Sequence, residues 1–288
     1  MHVHTWHSGM CTMPVLKRIC RESYTPAGEL YDRLKRRGMD LVTVTDHDSI
    51  DAAADLRKHQ DFFLSEEVTA TMPSGCEAHI GVYDINELQH IQLQARRDDL
   101  PRLLAFLDEE QILYSINHVF SGLTGHRTLE DLNLFSEKFP AFETRNGAMF
   151  SRSNLAAKEA CEKLGRIALG GSDSHGILSL GRSWTQVPGA RNKQEFFAGL
   201  RRRQSRVMGS DGSYMRLTAE LFTIAGCLFR DKTWTLGLAP LVAFLPVAAL
   251  IFYGTELRFA AHWRRNWLNS LPSFSVKLES GVAEEIAA

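Results

Sequence analysis

The 288 residues contain five cysteines, at 11, 20, 76, 161 and 227, and no two of them form a CxxC pair. That spacing gives no disulfide framework and is compatible with a reducing compartment. An excess of one charge is also missing: 33 Lys and Arg stand against 34 Asp and Glu, for a net charge of -1 and a pI near 6.8. Such a chain has no general attraction for nucleic acid, so any nucleic-acid contact has to be local. No internal repeat or low-complexity tract stands out, and no signal peptide opens the sequence. One stretch lacks charge altogether: the 23 residues from Thr233 to Thr255, between Lys232 and Glu256.

What is present is histidine, grouped. Five clusters recur: His2-Val3-His4, Thr45-Asp46-His47-Asp48, Ala78-His79-Ile80, Asn117-His118-Val119 and Ser172-Asp173-Ser174-His175. Glu67, in Ser65-Glu66-Glu67-Val68, joins them. Imidazole and carboxylate are the donors that zinc, iron and manganese accept. In a strand, residues i and i+2 face the same side, so His2 and His4 can grip one ion while Val3 packs behind them. Four clusters follow apolar or β-branched runs: 41–45 before Asp46, 113–116 before His118, 139–142 before Glu143, and 167–169 before Asp173. Buried strands that end in polar residues are where an α/β barrel carries its chemistry. His59, His90, His126 and His262 stand alone and read as surface or satisfied core residues. Cys76, in Cys76-Glu77-Ala78-His79, reads as a small buried hydrophobe.

Helices are expected from Pro26 to Gly38, Asp51 to His59, Glu87 to Glu110 (one, or two broken near Pro101), Thr128 to Lys138 and Ser153 to Gly165. Leu155, Ala156, Ala160 and Leu164 form one face of the last. A further helix begins near Asn192 and closes on Arg201-Arg202-Arg203, a basic last turn that suits a helix C-terminus. Strands alternating with helices indicate an α/β fold.

The order of motifs resembles the PHP (polymerase and histidinol phosphatase) superfamily over about residues 1–210. The resemblance implies a distorted (β/α)7 TIM-like barrel that carries two or three divalent metal ions, zinc, manganese or iron, and hydrolyses phosphoesters. It also implies roles. His2, His4, Glu67 and Asp173 would surround one ion, with Glu67 bridging to a second held by His79 and His118. His47 and His175 would correspond to ligands of a third, or else act as catalytic proton donors. A further third-site ligand is expected five or six residues after the His-X-His pair, where this chain has Gly9 and Met10; His7 or Cys11 could substitute, or both are ordinary loop residues. Two ions are therefore the safer expectation. Only Met1 precedes His2, so either the sequence starts late or the first strand is nearly absent, leaving the pair at a frayed end.

Glu143, Arg145 and Arg182 are candidates for facing substrate, the guanidinium groups because each can hold two phosphate oxygens. Glu143 could instead orient a ligating imidazole, and both arginines could be spent in loop salt bridges. The implied partner is a phosphorylated small molecule, a nucleotide or a nucleic-acid end, and no obligate protein partner is evident.

After Gly209-Ser210-Asp211-Gly212 the composition changes, which divides the chain into a barrel, 1–210, and a C-terminal apolar helical appendage, 211–288. The charge-free run 233–255 is long enough to cross a hydrocarbon core of about 30 Å. Trp234, Tyr253, Trp263 and Trp267 flank it like interfacial aromatics. The run reads as a membrane span or monotopic anchor for a cytoplasmic barrel, or else as a helical hairpin packed internally. Two functions follow: a metal-dependent phosphoesterase, or a non-catalytic metal-binding scaffold that mediates membrane or protein association.

Overall fold

The computed structural model describes residues 1–11 and 16–272; the end of the expected appendage, 273–288, lies outside them. The fold is mixed α/β. Five strands make one sheet in the order β1-β2-β3-β4-β5, with β1 Ser65–Thr71, β2 Glu77–Tyr83, β3 Leu113–Ile116, β4 Ala141–Asn146 and β5 Ile167–Gly171. A small antiparallel pair, β6 Ser183–Gln186 and β7 Arg206–Gly209, stands beside it.

Two expectations change here. Alternation of strand and helix predicts parallel pairing, yet β1-β2 and β2-β3 pair antiparallel, and within this sheet β3-β4 and β4-β5 run parallel. The cause is local. Pro73-Ser74-Gly75 makes a tight turn, with Gly75 at φ 84° and its N–H on the Met72 carbonyl at 2.8 Å, so β1 folds straight back as β2. The second change concerns closure. The run 41–45 forms no ladder, and the hydrogen-bonded sheet is not closed, so a seven-stranded barrel is not confirmed. Individual bonds instead tether two extended segments to the sheet's free edges. The amides of Val42 and Glu67 donate to Asp61 and Asp46 on the β1 side, and Asp173 N–H donates to His2 on the β5 side. Thr45 N–H meets the Val3 carbonyl at 2.9 Å and joins the segments to each other. The first histidine pair is thus bonded on both sides and is not frayed.

The helices agree with the sequence in number more than in length. α1 covers Ala27–Arg36, but α2 shrinks to Ala53–Leu56. The stretch 87–110 splits into α3, Glu87–Gln94, and α4, Leu100–Glu109, because Asp99 caps a new start with Pro101 in its first turn. α5, Leu129–Lys138, opens on the Thr128 capping box, and α6, Ser151–Leu164, stops at Gly165 in the left-handed region. Leu155 does not join the buried face of α6; Ala156, Ala157, Ala160 and Cys161 form it, since small side chains let the helix lie close on β4. α7, Lys193–Arg201, is capped by Asn192 as expected.

Beyond residue 211 the chain makes α8, Tyr214–Asp231, a 3-10 stretch, Thr233–Phe244, and α9, Leu245–Asn266, followed by a short 3-10 turn, Leu268–Ser270. Among the described residues one helical stretch, Thr233–Ser270, is long and apolar enough to cross a membrane by length and composition, its most apolar 18-residue window having mean hydropathy 2.2. Its most apolar window is only 11% buried. The far end behaves differently. Ala260, Trp267 and Leu268 belong to the main core with Val119, Phe120 and Leu132, and Trp267 Nε1 donates to Asn133 at 3.2 Å. Trp267→Ala should therefore lower unfolding stability by about 3–5 kcal/mol in urea titration. A loss below about 1 kcal/mol would mean that the end of this helix does not pack on the α/β body.

Candidate metal centre

Glu67, fully buried on β1, is the hub. Its Oε1 lies 3.2 Å from His2 Nε2, 3.6 Å from His118 Nε2 and 3.7 Å from His79 Nδ1. Its Oε2 lies 3.4 Å from both His4 Nε2 and His47 Nδ1. Asp173 Oδ1 faces the same space, 3.4 Å from His2, 3.2 Å from His4 and 3.4 Å from His175 Nε2. All eight expected ligands, His2, His4, His47, Glu67, His79, His118, Asp173 and His175, thus come together. Three sets of donor atoms lie within 4.8 Å of one another: His2, Glu67 and His118; His2, His4 and Asp173; His4, His47 and Glu67.

The elements aim these groups. His2 and His4 share a face of their extended segment, as the i, i+2 spacing requires, and Gly171 makes room for them. A Cβ there would collide with the backbone and Cβ of His2. His118 and Asp173 stand just past β3 and β5 at φ 31° and 44°, left-handed conformations that cost of order 1–3 kcal/mol for ordinary residues and concentrate at functional sites. Asp46 bonds to the loop after His4: it accepts from Thr5 and from Ser8 Oγ at 2.7 Å, and so fixes that loop.

A ring of polar groups orients the donors. His2 Nδ1 meets Glu143 Oε1 at 2.8 Å, which leaves Nε2 to face the cluster. Asn146 Nδ2 bridges Glu143 at 2.9 Å and Asp173 Oδ2 at 2.8 Å, and Asn117 Nδ2 donates to Glu67 Oε1 at 2.7 Å. Glu143 thus serves an imidazole. Arg145 is bound to Asp211 at 3.0 Å, and Arg182 is exposed, its Nε on the Leu178 carbonyl at 3.3 Å.

Electrostatics prepare the donors. Burial alone would raise Glu67, but the imidazoles of His2, His79 and His47 hold its carboxyl well below the usual carboxylate range. Asp173 is likewise held low against burial by His2, His175 and His4. Burial pushes His4 down to about 4 and His47 down to about 3, so both offer neutral lone pairs at neutral pH. His175 goes the other way, up to about 9, because Asp173 and Glu22 outweigh burial.

The residues fit a metal cluster by their unmet bonding. Glu67 Oε2 and the Nδ1 atoms of His79, His118 and His175 are buried without a hydrogen-bond partner. Such groups are costly unless something fills their lone pairs, and divalent cations do so. Sequence reasoning missed Glu22, whose Oε1 lies 3.8 Å from His175 Nδ1 and whose Oε2 is buried and unpartnered. It also missed Ser8 and Asn146. Glu22 sits in a loop far from any histidine motif, and no pattern points to it; Asn146 lies three residues after Glu143 in a strand already marked.

Comparison with known proteins bears on part of the chain and on the fold. A family model described as PHP-associated matches residues 151–205, the stretch that carries Asp173 and His175. No curated protein matches. PsfC from Pseudomonas syringae superposes with TM-score 0.57 at 17% identity, over 78% of this chain and 96% of that one, a likeness of fold. The lesion-specific endonuclease PfuEndoQ from Pyrococcus furiosus gives 0.48 at 16% identity, over 72% of this chain and 56% of that one. An amidohydrolase from Chromobacterium violaceum, with bound sulfate and no metal, gives 0.46 at 16% identity, over 72% and 96%. The PHP-associated match is confined to residues 151–205, and the likeness to PsfC is one of fold.

Two substitutions probe the geometry. Glu143→Ala should weaken metal binding about 10–100-fold in chelator competition, the usual cost of losing the partner of a ligating imidazole. Gly171→Ala should weaken it too, by displacing His2. Wild-type affinity in both would show that His2 is no ligand.

Proposed function

We propose that this protein is a metal-dependent hydrolase that cleaves phosphoester bonds with an activated water. The observation that carries the reading is the convergence of five imidazoles on one buried carboxylate, Glu67, beside Asp173 with its own imidazole partners, with several donor atoms left unpartnered. Bound there, two or three divalent ions would activate a water at neutral pH and neutralise phosphoryl charge. Glu67 would be shared between ions, with His2, His4 and Asp173 on one side and His79 and His118 on the other.

The chain's own residues would do the rest. Glu143 and Asn146 keep His2 and Asp173 in register, and Asn117 keeps Glu67. His175, held protonated at neutral pH in the metal-free protein, would donate a proton to the leaving alkoxide unless a third ion takes its lone pair; His47 is the alternative. Arg145 is engaged by Asp211, so phosphate recognition would fall to the ions, His175 and Arg182. The substrate would be a phosphorylated small molecule, a nucleotide or a nucleic-acid end.

The alternative, a scaffold that only binds metal, is disfavoured by openness. Structural sites are closed by four ligands, whereas these donors exceed four and the His175 side chain is 27% exposed. Hydrolysis of an aryl phosphate by metal-stripped protein, with manganese, zinc or iron added back, decides between them. Turnover should require metal, and His79→Ala or Asp173→Ala should lower it more than about a hundredfold. Full activity in chelator would end the hydrolase reading. Elemental analysis should return two tightly held ions, and a third only where Glu22 is intact; a Glu22→Gln protein that keeps three would assign the third to other donors.

The run 233–255 would attach the protein to the inner face of a membrane as a monotopic element, because Trp234, Phe244, Leu250 and Ile251 are all exposed while the following residues return to the core. Co-flotation with lipid vesicles, lost on Leu250→Ser with Ile251→Ser, is the expected result. A protein that stays soluble and unbound at every lipid concentration would leave that surface without a membrane role.

A further inference from the structure

The apolar C-terminal helices carry two buried carboxylates that neither packing nor membrane attachment calls for. Glu256, the first charge after the run 233–255, turns inward and is 2% exposed; Glu220 on α8 is 8% exposed. Burying a carboxylate carries a large desolvation cost, so a helix whose task ended at an apolar contact would be better served by alanine or leucine there. Both glutamates meet the same kind of target.

Glu256 Oε1 accepts the Gly122 N–H at 3.0 Å. Gly122 ends the turn that leaves His118, and Ser121 N–H closes that turn on the His118 carbonyl at 2.9 Å. His118 is held there in its left-handed conformation. Phe259, one turn along α9, packs so closely that a Cβ on Gly122 would come within 3.2 Å of its ring. The Arg127 guanidinium and the His118 imidazole also act on Glu256 electrostatically, and its hydrogen bonds go to this loop. Glu220 stands on the other side. Its carboxylate lies against Gly176, where a Cβ would come within 2.8 Å of Oε1, and it approaches Leu178 and Ser179 without forming a hydrogen bond, both oxygens being buried and unpartnered. That is the loop leaving His175.

We infer that Glu256 and Glu220 are positioning residues of the metal centre: from the C-terminal helices Glu256 holds by a hydrogen bond the loop that leads out of His118, and Glu220 packs against the loop that leads out of His175. The inference rests on the proposed metal-dependent reading and extends it beyond the barrel. The helices 214–266 are then a wall of the site, and residues after about 210 are not dispensable for it.

The test is cobalt binding to the full chain, read by the visible ligand-field spectrum and by competition with a chromophoric chelator. The wild type should bind at least two ions. Glu256→Ala should bind the ion that depends on His118 about tenfold more weakly with an altered spectrum, and the ion held by His2, His4 and Asp173 as before. Glu256→Gln keeps an acceptor for Gly122 and should restore both readouts. Should the alanine variant not fold, Glu256→Asp, which shortens the arm by one methylene, should show the same selective weakening. Glu220→Ala should alter the environment of His175, seen as a shift of its ring resonances in the histidine NMR spectrum of the metal-free protein. Wild-type binding by the Glu256 alanine and aspartate variants, or equal weakening of every ion, would overturn the inference while leaving the hydrolase reading in place. A wild type that binds no cobalt would remove both.

Discussion

One buried carboxylate sets the terms for the rest of the molecule. Glu67 lies out of water with a single formed hydrogen bond, from Asn117, and its other oxygen has none. An ion in that position costs several kcal/mol unless its neighbours compensate. The compensation comes from five other segments, spread from residue 2 to residue 175, each of which delivers at least one imidazole or carboxylate to within 3.8 Å of it or of Asp173. The sheet's irregularities follow from that demand. The segments 2–5 and 42–47 meet it by single bonds, because their task is to bring His2, His4 and His47 to Glu67, and His118 and Asp173 adopt left-handed backbone to do the same.

The same demand explains what could be read in advance. The ligand set was legible because its information is chemical identity plus short spacing: a His-X-His pair on an extended segment faces one way whatever the fold around it. Helix ends were legible where a side chain makes the cap, as at Thr128 and Asn192, or where a glycine supplies the left-handed stop, as at Gly165. Strand direction was not, because the expectation of a parallel barrel overrode the Pro73-Ser74-Gly75 turn, which local chemistry alone would have marked. Closure was not either, since a segment such as 41–45, buried and β-branched, looks the same whether it forms a ladder or single bridges. Glu22 was out of reach, because its proximity to His175 comes from a loop whose path no periodicity encodes.

The C-terminal segment shows the limit of composition in another way. A charge-free run of that length reads as an anchor, and the exposed face of the 3-10 stretch and early α9 is consistent with one. Yet the helix is two-sided. Within about five turns it passes from exposed Leu250 and Ile251 to inward Glu256, then to Ala260 and Trp267 in the main core. The change of composition near residue 211 therefore marks a change of environment on one face and no break in packing on the other. A ledger of hydrophobic area assigns this helix to whatever covers its apolar side, whereas the placement of Glu256, a residue that gains nothing from an apolar surrounding, assigns its inner side to the loop beside His118, as Glu220 on α8 does for the loop beside His175. Polar groups buried where apolar ones would be cheaper are the more specific signal, because each must be matched by a particular partner.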